Sequence, residues 1–146
     1  MNPNLIYLVQ TDTIAGFLSQ DKKRLAHAKK RSLKKPFLIN TDSFEKQKDF
    51  VRSPKNFRAK IRRAKKSTFI YPNGYAIRVV FEDDFKNFMK KFGWLYSTSA
   101  NRSEEKFDIN FALQNADIIV EGKKGYEKSN PSSIFKLSKS RMKKIR

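Results

Sequence analysis

Ser97-Thr98-Ser99-Ala100-Asn101, led in by Gly93-Trp94-Leu95-Tyr96, is the stretch that decides the fold. The apolar residues 94–96 read as a buried strand. The five small residues after them read as a loop of hydroxyls and one amide. Such a loop offers donors and acceptors at close range to a ligand, with little bulk in the way. Taken alone, it serves equally well as a strand-to-helix cap.

Outward from this stretch, short strands alternate with helices. Residues 5–9 predict a first strand, and residues 21–31 a helix with Ser19 as a candidate cap. Residues 37–39 read as a buried strand after Pro36, and Thr41-Asp42-Ser43 offers caps for a helix carrying Phe44 and Phe50. Ser53-Pro54 joins a cap to a proline suited to the first helical position. In the helix that follows, Phe57, Ile61 and Ala64 make one apolar stripe. Residues 68–71 and 75–81 flank Pro72-Asn73-Gly74 and predict a hairpin. Asp83 or Asp84 caps a helix with Phe85, Phe88, Met89 and Phe92 on its inner face, ended by Gly93. Residues 110–115 predict a short helix, 117–120 a strand, 121–130 a polar loop and 132–137 the last strand. The expected fold class is α/β (α+β), a mixed sheet with helices packed on it. One domain is expected over residues 1–137, with a frayed basic tail at 138–146 that is a candidate RNA-binding arm.

Composition narrows the chemistry. The 146 residues suffice for a core, and the absence of cysteine excludes disulfides and thiolate metal sites. His27 is the sole histidine, so no His-based metal cluster and no Ser-His-Asp arrangement is available. There is no Walker A motif; residues 122–125, Gly-Lys-Lys-Gly, read as a basic turn. Met1-Asn2-Pro3-Asn4 lacks a basic region ahead of an apolar stretch, so no secretory signal is expected. The apolar runs fall far short of the roughly 20 residues that span a bilayer. A cytoplasmic protein without a membrane partner is the expectation.

Thirty-three Lys and Arg against fourteen Asp and Glu leave a net charge of +19. Such a surplus costs stability by self-repulsion and suits a polyanionic partner, with tRNA or double-stranded RNA ahead of a membrane. A Lys-rich proteome would produce the same surface without any partner. The cations cluster: eight in residues 22–35, eight in residues 52–66 and six in residues 136–146. Off the apolar stripe of the helix after Pro54, Lys55, Arg58, Arg62 and Lys65 make a cationic face able to track phosphates. A solvated helix face is the alternative.

Six segments then fall in order. They are Gln10-Thr11-Asp12-Thr13-Ile14-Ala15-Gly16; Lys29-Lys30-Arg31-Ser32 with Pro36-Phe37-Leu38-Ile39; Ala76-Ile77-Arg78-Val79; Ser97 to Ser103; Asp117-Ile118-Ile119; and Pro131-Ser132-Ser133-Ile134. Together they resemble the YrdC family of threonylcarbamoyl-AMP synthases. Its corresponding segments are Pro-Thr-Asp-Thr-Val-Tyr-Gly, Lys-x-Arg-Pro, Val-x-Arg, Thr-Ser-Ala-Asn-x-Ser, Asp-x-Ile and Pro-Ser-Thr-Val. The departures are Gln10, Ala15, Ser32 and Glu121-Gly122. In addition, the Trp-Pro-Gly-Pro-x-Thr segment is reduced to residues 63–68, of which only Thr68 is kept.

The resemblance implies a twisted mixed sheet with a basic concave cavity. It implies a nucleotidyltransferase that turns ATP, L-threonine and bicarbonate into threonylcarbamoyl-AMP and pyrophosphate, with Mg²⁺ accompanying ATP. Other proteins then use the product to modify tRNA. Two anionic reactants must be brought together, which calls for fixed cations in a partly dry site. Lys29, Arg31, Ser99 and Asn101 are the expected catalytic residues, with Arg31, Lys35, Ser99 and Asn101 on ATP. Thr11, Asn40, Arg78, Ser97, Ser132 and Ser133 are the expected threonine contacts. Asn40 stands where many members have His, and Arg78 is a charge in an apolar strand that calls for a carboxylate, from ligand or from a residue such as Asp12. No dedicated metal ligands are expected. The alternative function is a non-catalytic double-stranded RNA or tRNA-binding module on the same fold.

Overall fold

Short apolar runs punctuated by caps and turns produce short elements. The structure, a computed structural model, describes residues 1–122, 125–126 and 129–146. Lys123 and Lys124 of the basic turn, and Glu127 and Lys128 of the loop after it, lie outside the described residues. In chain order the elements are β1 (Tyr7–Gln10), β2 (Ala15–Ser19), α1 (Lys22–Lys29), β3 (Leu38–Thr41), α2 (Phe44–Gln47), a 3-10 turn (Lys55–Phe57) leading into α3 (Arg58–Arg63), β4 (Ser67–Ile70), β5 (Ala76–Val79), α4 (Asp83–Met89), β6 (Trp94–Ser99), α5 (Ile109–Asn115), β7 (Ile118–Ile119), β8 (Ser133–Leu137) and β9 (Met142–Lys144). They form two compact units, Met1–Phe37 with Leu95–Asn130 and Leu38–Trp94 with Pro131–Arg146. Each carries a mixed sheet, so the expected mixed α/β class holds. No helix among the described residues is long and apolar enough to cross a membrane.

In the first unit the strand order is β7-β1-β2-β6, with β7 parallel to β1 and the other pairs antiparallel. The core comprises Ile6, Leu8, Phe17, Leu25, Phe37 and Phe111 with smaller residues between them. No strand is expected from the sequence at β2, because all five of its residues are buried and no alternation shows. Gly16 is required there: a Cβ would stand 3.0 Å from the Thr98 carbonyl oxygen and 3.1 Å from Thr11 Cγ2. Strand β6 runs on through Ser99, so most of the predicted hydroxyl loop is strand.

Helix α1 is capped by Asp21 rather than Ser19. The Asp21 carboxylate accepts from the Arg24 N–H at 3.1 Å, while the Ser19 hydroxyl accepts from the Asp21 N–H at 3.0 Å. The helix ends two residues earlier than expected, in a Schellman turn with Lys30 left-handed at φ 58°. Lys30 N–H bonds His27 O at 3.1 Å and Arg31 N–H bonds Ala26 O at 3.0 Å. Asp117 enters β7 as a clamp, accepting from the Ile6 N–H at 2.8 Å and from Arg24 Nη2 at 2.9 Å.

In the second unit the order is β3-β5-β4-β8-β9, alternating parallel and antiparallel pairs. The β4–β5 hairpin forms as expected: Gly74 N–H closes the turn on Tyr71 O at 2.8 Å, and Gly74 takes φ 91°. Helix α4 buries Phe85, Phe88 and Met89, but its cap is Glu82, whose carboxylate accepts from Asp84 N–H and Phe85 N–H. Pro54 sits at the cap position with ψ 134°, not inside the helix, and only Ile61 of the predicted stripe is fully buried. Helix α2 stops at Gln47, leaving Phe50 outside it.

The tail corrects the expectation of a frayed arm. Met142, Lys143 and Lys144 pair with Leu137, Lys136 and Phe135. A turn in which Ser138 N–H bonds Arg141 O and Arg141 N–H bonds the Ser138 hydroxyl, both at 2.9 Å, reverses the chain. Lysines on a solvent-facing strand hid the pattern.

Helix α4 stops at Met89, short of the expected Phe92, and Gly93 closes the turn after it at φ 82°, donating to Met89 O and accepting from Asp42 N–H, both at 2.9 Å. Gly93→Ala is expected to lower stability by about 1 kcal/mol through this left-handed backbone. Urea unfolding measures it; an unchanged midpoint contradicts the requirement for glycine.

Candidate functional site

The centre of the first unit's site is a buried cation. The Schellman turn stops α1 so that Lys29, only 5% exposed, reaches inward to the end of β6. Its ammonium donates to Ser99 O and Ser99 Oγ at 2.9 Å each, and lies 3.3 Å from Asn101 Oδ1 and 3.4 Å from Asn101 O. Three N–H bonds face four acceptors. The two short contacts to Ser99 hold two protons, and the third is shared over the longer pair on Asn101. That third proton is the one a ligand oxygen can take at least cost.

The surroundings fix this geometry. Ser103 N–H bonds Lys29 O at 3.2 Å, and Ala100 N–H bonds Ala15 O at 2.9 Å. The Asn101 amide donates to Arg102 O at 2.9 Å and Glu105 O at 2.6 Å, so its Oδ1 is turned to Lys29. Burial pushes the Lys29 ammonium down to about 8, helped by repulsion from Arg31 and Lys35.

Arg31 takes a different place. Its Nη2 donates to Lys35 O at 3.0 Å and Pro36 O at 2.6 Å, and the guanidinium lies 4.1 Å over the Phe37 ring. Burial lowers its pKa, and its Nε is buried with no hydrogen-bond partner among the described residues. Lys35 is exposed and pairs with Glu104 at 3.6 Å. Ser97 is buried on β6 opposite Leu18. The Thr11 hydroxyl organises the β1–β2 turn: it donates to Ile14 O at 2.6 Å and accepts from Thr13 N–H and Ile14 N–H.

The second unit gathers the other candidates. Arg78, 8% exposed on β5, donates through Nε to Thr68 Oγ1 at 3.2 Å. Thr68 Oγ1 is 3.3 Å from Ser132 Oγ, and Arg146 donates to Ser132 O at 3.0 Å and to Ser132 Oγ at 3.4 Å. Asn40, 1% exposed, stands in register with Arg78 in the parallel β3–β5 pair, so the two side chains leave the same face. Ser133 anchors β8 through its N–H to Lys66 O at 3.2 Å. This is an arginine-hydroxyl relay suited to an anionic or hydroxylic ligand.

Two members of the relay were not among the sequence candidates. Thr68 carried a signal, as the one residue kept from the Trp-Pro-Gly-Pro-x-Thr segment. Arg146 carried none, because it belongs to the tail read as frayed. Among the described residues, no group of three or more His, Asp or Glu comes together to hold a metal ion.

A family profile described as "Telomere recombination", covering Sua5, YciO and YrdC proteins, matches residues 4–146. The chain belongs to the Sua5/YciO/YrdC family. P. abyssi Sua5 in complex with L-threonine has the same fold at TM-score 0.80 and 18% identity, covering 97% of this chain and 50% of that one. The chain thus spans about half the length of that Sua5. Full-length HypF in its phosphate- and nucleotide-bound form is similar at TM-score 0.73 and 18% identity, over 97% of this chain and 26% of that one. E. coli YciO is similar at TM-score 0.73 and 14% identity, over 98% of this chain and 82% of that one. No protein of curated function matches in sequence.

The low value of Lys29 has a testable sign. Between about 8 and the ordinary 10.5, the unfolded chain holds a proton that the folded chain has lost. This group's contribution to stability therefore rises with pH across that window. NMR of ¹³Cε-labelled lysine should show one resonance titrating near 8 that vanishes in Lys29→Met. Asn101→Ala, which removes an acceptor, should lower that value further, and Arg31→Gln should raise it. Titration of that resonance at the ordinary lysine value contradicts a buried ammonium.

Proposed function

We propose that this Sua5/YciO/YrdC domain forms L-threonylcarbamoyladenylate and pyrophosphate from ATP, L-threonine and bicarbonate, supplying a tRNA modification carried out by other proteins. The observation that carries this is the Lys29 ammonium seated on Ser99 and Asn101. Family membership, a neighbour complexed with L-threonine and another bound to nucleotide support it.

The threonine amine takes up bicarbonate, losing water, to give a carbamate. A carbamate oxygen then attacks the α-phosphorus of ATP, and the bond to the β-phosphate breaks with its electron pair leaving on pyrophosphate. Both reactants are anions, so the barrier falls when fixed cations neutralise them before they meet. Lys29 gives its loosely held third N–H to a phosphate oxygen. Arg31, already braced against Lys35 O and Pro36 O, adds a planar cation that needs no reorganisation. In the second unit, Arg78 and the Thr68–Ser132 hydroxyls receive the carboxylate and hydroxyl of threonine, with Asn40 on the same face. Thr11 sets the turn between β1 and β2, and Ser133 N–H holds the start of β8 to Lys66 O. Mg²⁺ would be carried by the ATP phosphates, as is usual for this ion, and would add charge neutralisation there.

Purified protein given ATP, bicarbonate and threonine is expected to release pyrophosphate only when threonine is present. Lys29→Met and Arg78→Gln should each lower that release by roughly 100-fold or more while the urea midpoint shows a folded chain. Absence of any threonine-dependent release, under conditions where a Sua5 protein is active, overturns the proposal.

A further inference from the structure

Helix α5 is apolar on more than its buried side. Its sequence, Ile-Asn-Phe-Ala-Leu-Gln-Asn, holds no charged residue, unlike every other helix among the described residues. Phe111 and Ala112 point into the core of the first unit. Ile109 and Leu113, four positions apart, share another side, where a surface helix ordinarily carries charge. Phe107 precedes the helix and Ile119 follows it on β7; all four of these side chains are between 37% and 43% exposed. The other exposed large apolar residues, Met1, Leu33, Tyr75 and Ile145, are scattered singly along the chain.

Strand β7 adds an open edge to this patch. It stands last in the strand order of the first unit, and only β1 pairs with it among the described residues. Ile118 N–H bonds Ile6 O at 3.1 Å and Val120 N–H bonds Leu8 O at 2.9 Å, so Ile119 N–H turns outward.

Charge selects the partner. Two copies of a chain at +19 repel each other, and they meet at least cost where cations are fewest. Residues 107–122 hold none of the 33 Lys and Arg, and three acids, Asp108, Asp117 and Glu121. A polyanion finds no cation to hold there. Just before the patch, Arg102 is engaged within the chain: it lies 5.4 Å from the Phe111 ring centre and 3.8 Å from the Glu105 carboxylate. Lys106 and Asp108 bracket Phe107 with opposite charges, and neither makes an ion pair among the described residues. A two-fold axis beside Phe107 sets Lys106 of one copy against Asp108 of the other, twice.

We propose that α5, with Phe107 before it and the β7 edge after it, is the contact through which two copies of this chain pair about a two-fold axis, Ile109 and Leu113 of one copy lying on those of the other. A seven-residue helix buries a small area, which makes a weak dimer with a Kd on the order of 10 µM or above. None of the residues assigned to ATP or threonine belongs to this surface.

Sedimentation velocity of the full chain over a concentration series gives the test. Monomer and dimer should exchange, and the dimer should increase as salt rises from about 50 mM to about 500 mM, because screening weakens the repulsion between copies. Ile109→Gln/Leu113→Gln should weaken pairing roughly tenfold or more, with the urea midpoint showing a folded chain. Leu33→Gln/Tyr75→Gln, which also removes two exposed apolar side chains, should pair like the parent. If the α5 variant fails to fold, Phe107→Ser, outside the helix, carries the same expectation with a smaller effect. The chain has no cysteine, so Asn110→Cys adds one thiol per copy. Mild oxidation should join two copies through it, whereas Tyr75→Cys should stay largely unlinked. A chain that sediments as a monomer throughout the series overturns the proposal and leaves α5 to a different protein. So does a dimer that weakens with salt, which points to a bridging polyanion, or one left intact by Ile109→Gln/Leu113→Gln, which points to another face.

Discussion

A lysine ammonium removed from water must be given acceptors, and much of the first unit is arranged to supply them. Left unpaired, such a charge would be lost by deprotonation or would cost a large share of a domain's marginal stability. The acceptors come from the end of β6 and the loop after it: the Ser99 carbonyl and hydroxyl, then the Asn101 carbonyl and amide oxygen. For Lys29 to reach them, α1 has to stop at once, which it does by placing a lysine, not a glycine, in the left-handed position at residue 30. That strained residue and the orientation of the Asn101 amide both follow from one buried charge. Its two contacts to Asn101, at 3.3 and 3.4 Å, are the longer ones, and the proton shared between them is the one most readily given to an incoming oxygen.

The second unit handles its buried cation by another route. Arg78 lies within an apolar strand, and its neighbours answer with hydroxyls: Thr68 on β4 and Ser132 just before β8. Parallel pairing of β4 with β8 brings these two side chains within 3.3 Å although 64 residues separate them in sequence. Arg146 then closes the relay from the far side. Hydroxyls can turn to donate or accept, so this relay can reorganise around a ligand without leaving a polar atom stranded. Fixed ammonium in one unit and adaptable hydroxyls in the other are complementary ways of preparing for an anionic reactant.

Much of this was legible from residue types and spacing. Pro72-Asn73-Gly74 made a hairpin and residues 94–96 made a buried strand, because each rests on local backbone chemistry, whereas that strand runs on through Ser99 under the pairing of β2 with β6 and α4 stops at Met89, before Phe92. The convergence of Lys29 on Ser99 and Asn101 was legible only through ordered likeness to a family, since no local rule links residues that far apart. Strand β2 was hidden because burial on both faces erases alternation. Strand β9 was hidden because its exposed lysines looked like a solvated tail. Arg31 was legible as a cation, but its bracing by its own loop depends on the positions of Lys35 and Pro36 carbonyls, which a sequence does not display. The caps slipped by one or two residues, Asp21 for Ser19 and Glu82 for Asp83, since neighbouring polar side chains compete for the same orphan N–H groups.

The excess of positive charge acts at two scales. Near Lys29, burial first and then the cations Arg31 and Lys35 lower its proton affinity, and those cations draw an anion toward it. Along α3, the exposed Arg58, Arg62 and Arg63 form no ion pair among the described residues and add long-range attraction for anions. A crystal structure with a non-hydrolysable ATP analogue tests the role of Lys29 most directly. A phosphate oxygen should sit about 3 Å from Lys29 Nζ in place of an Asn101 contact, with both Ser99 contacts kept. Triphosphate bound away from Lys29, with its ammonium still on all four protein acceptors, would contradict it.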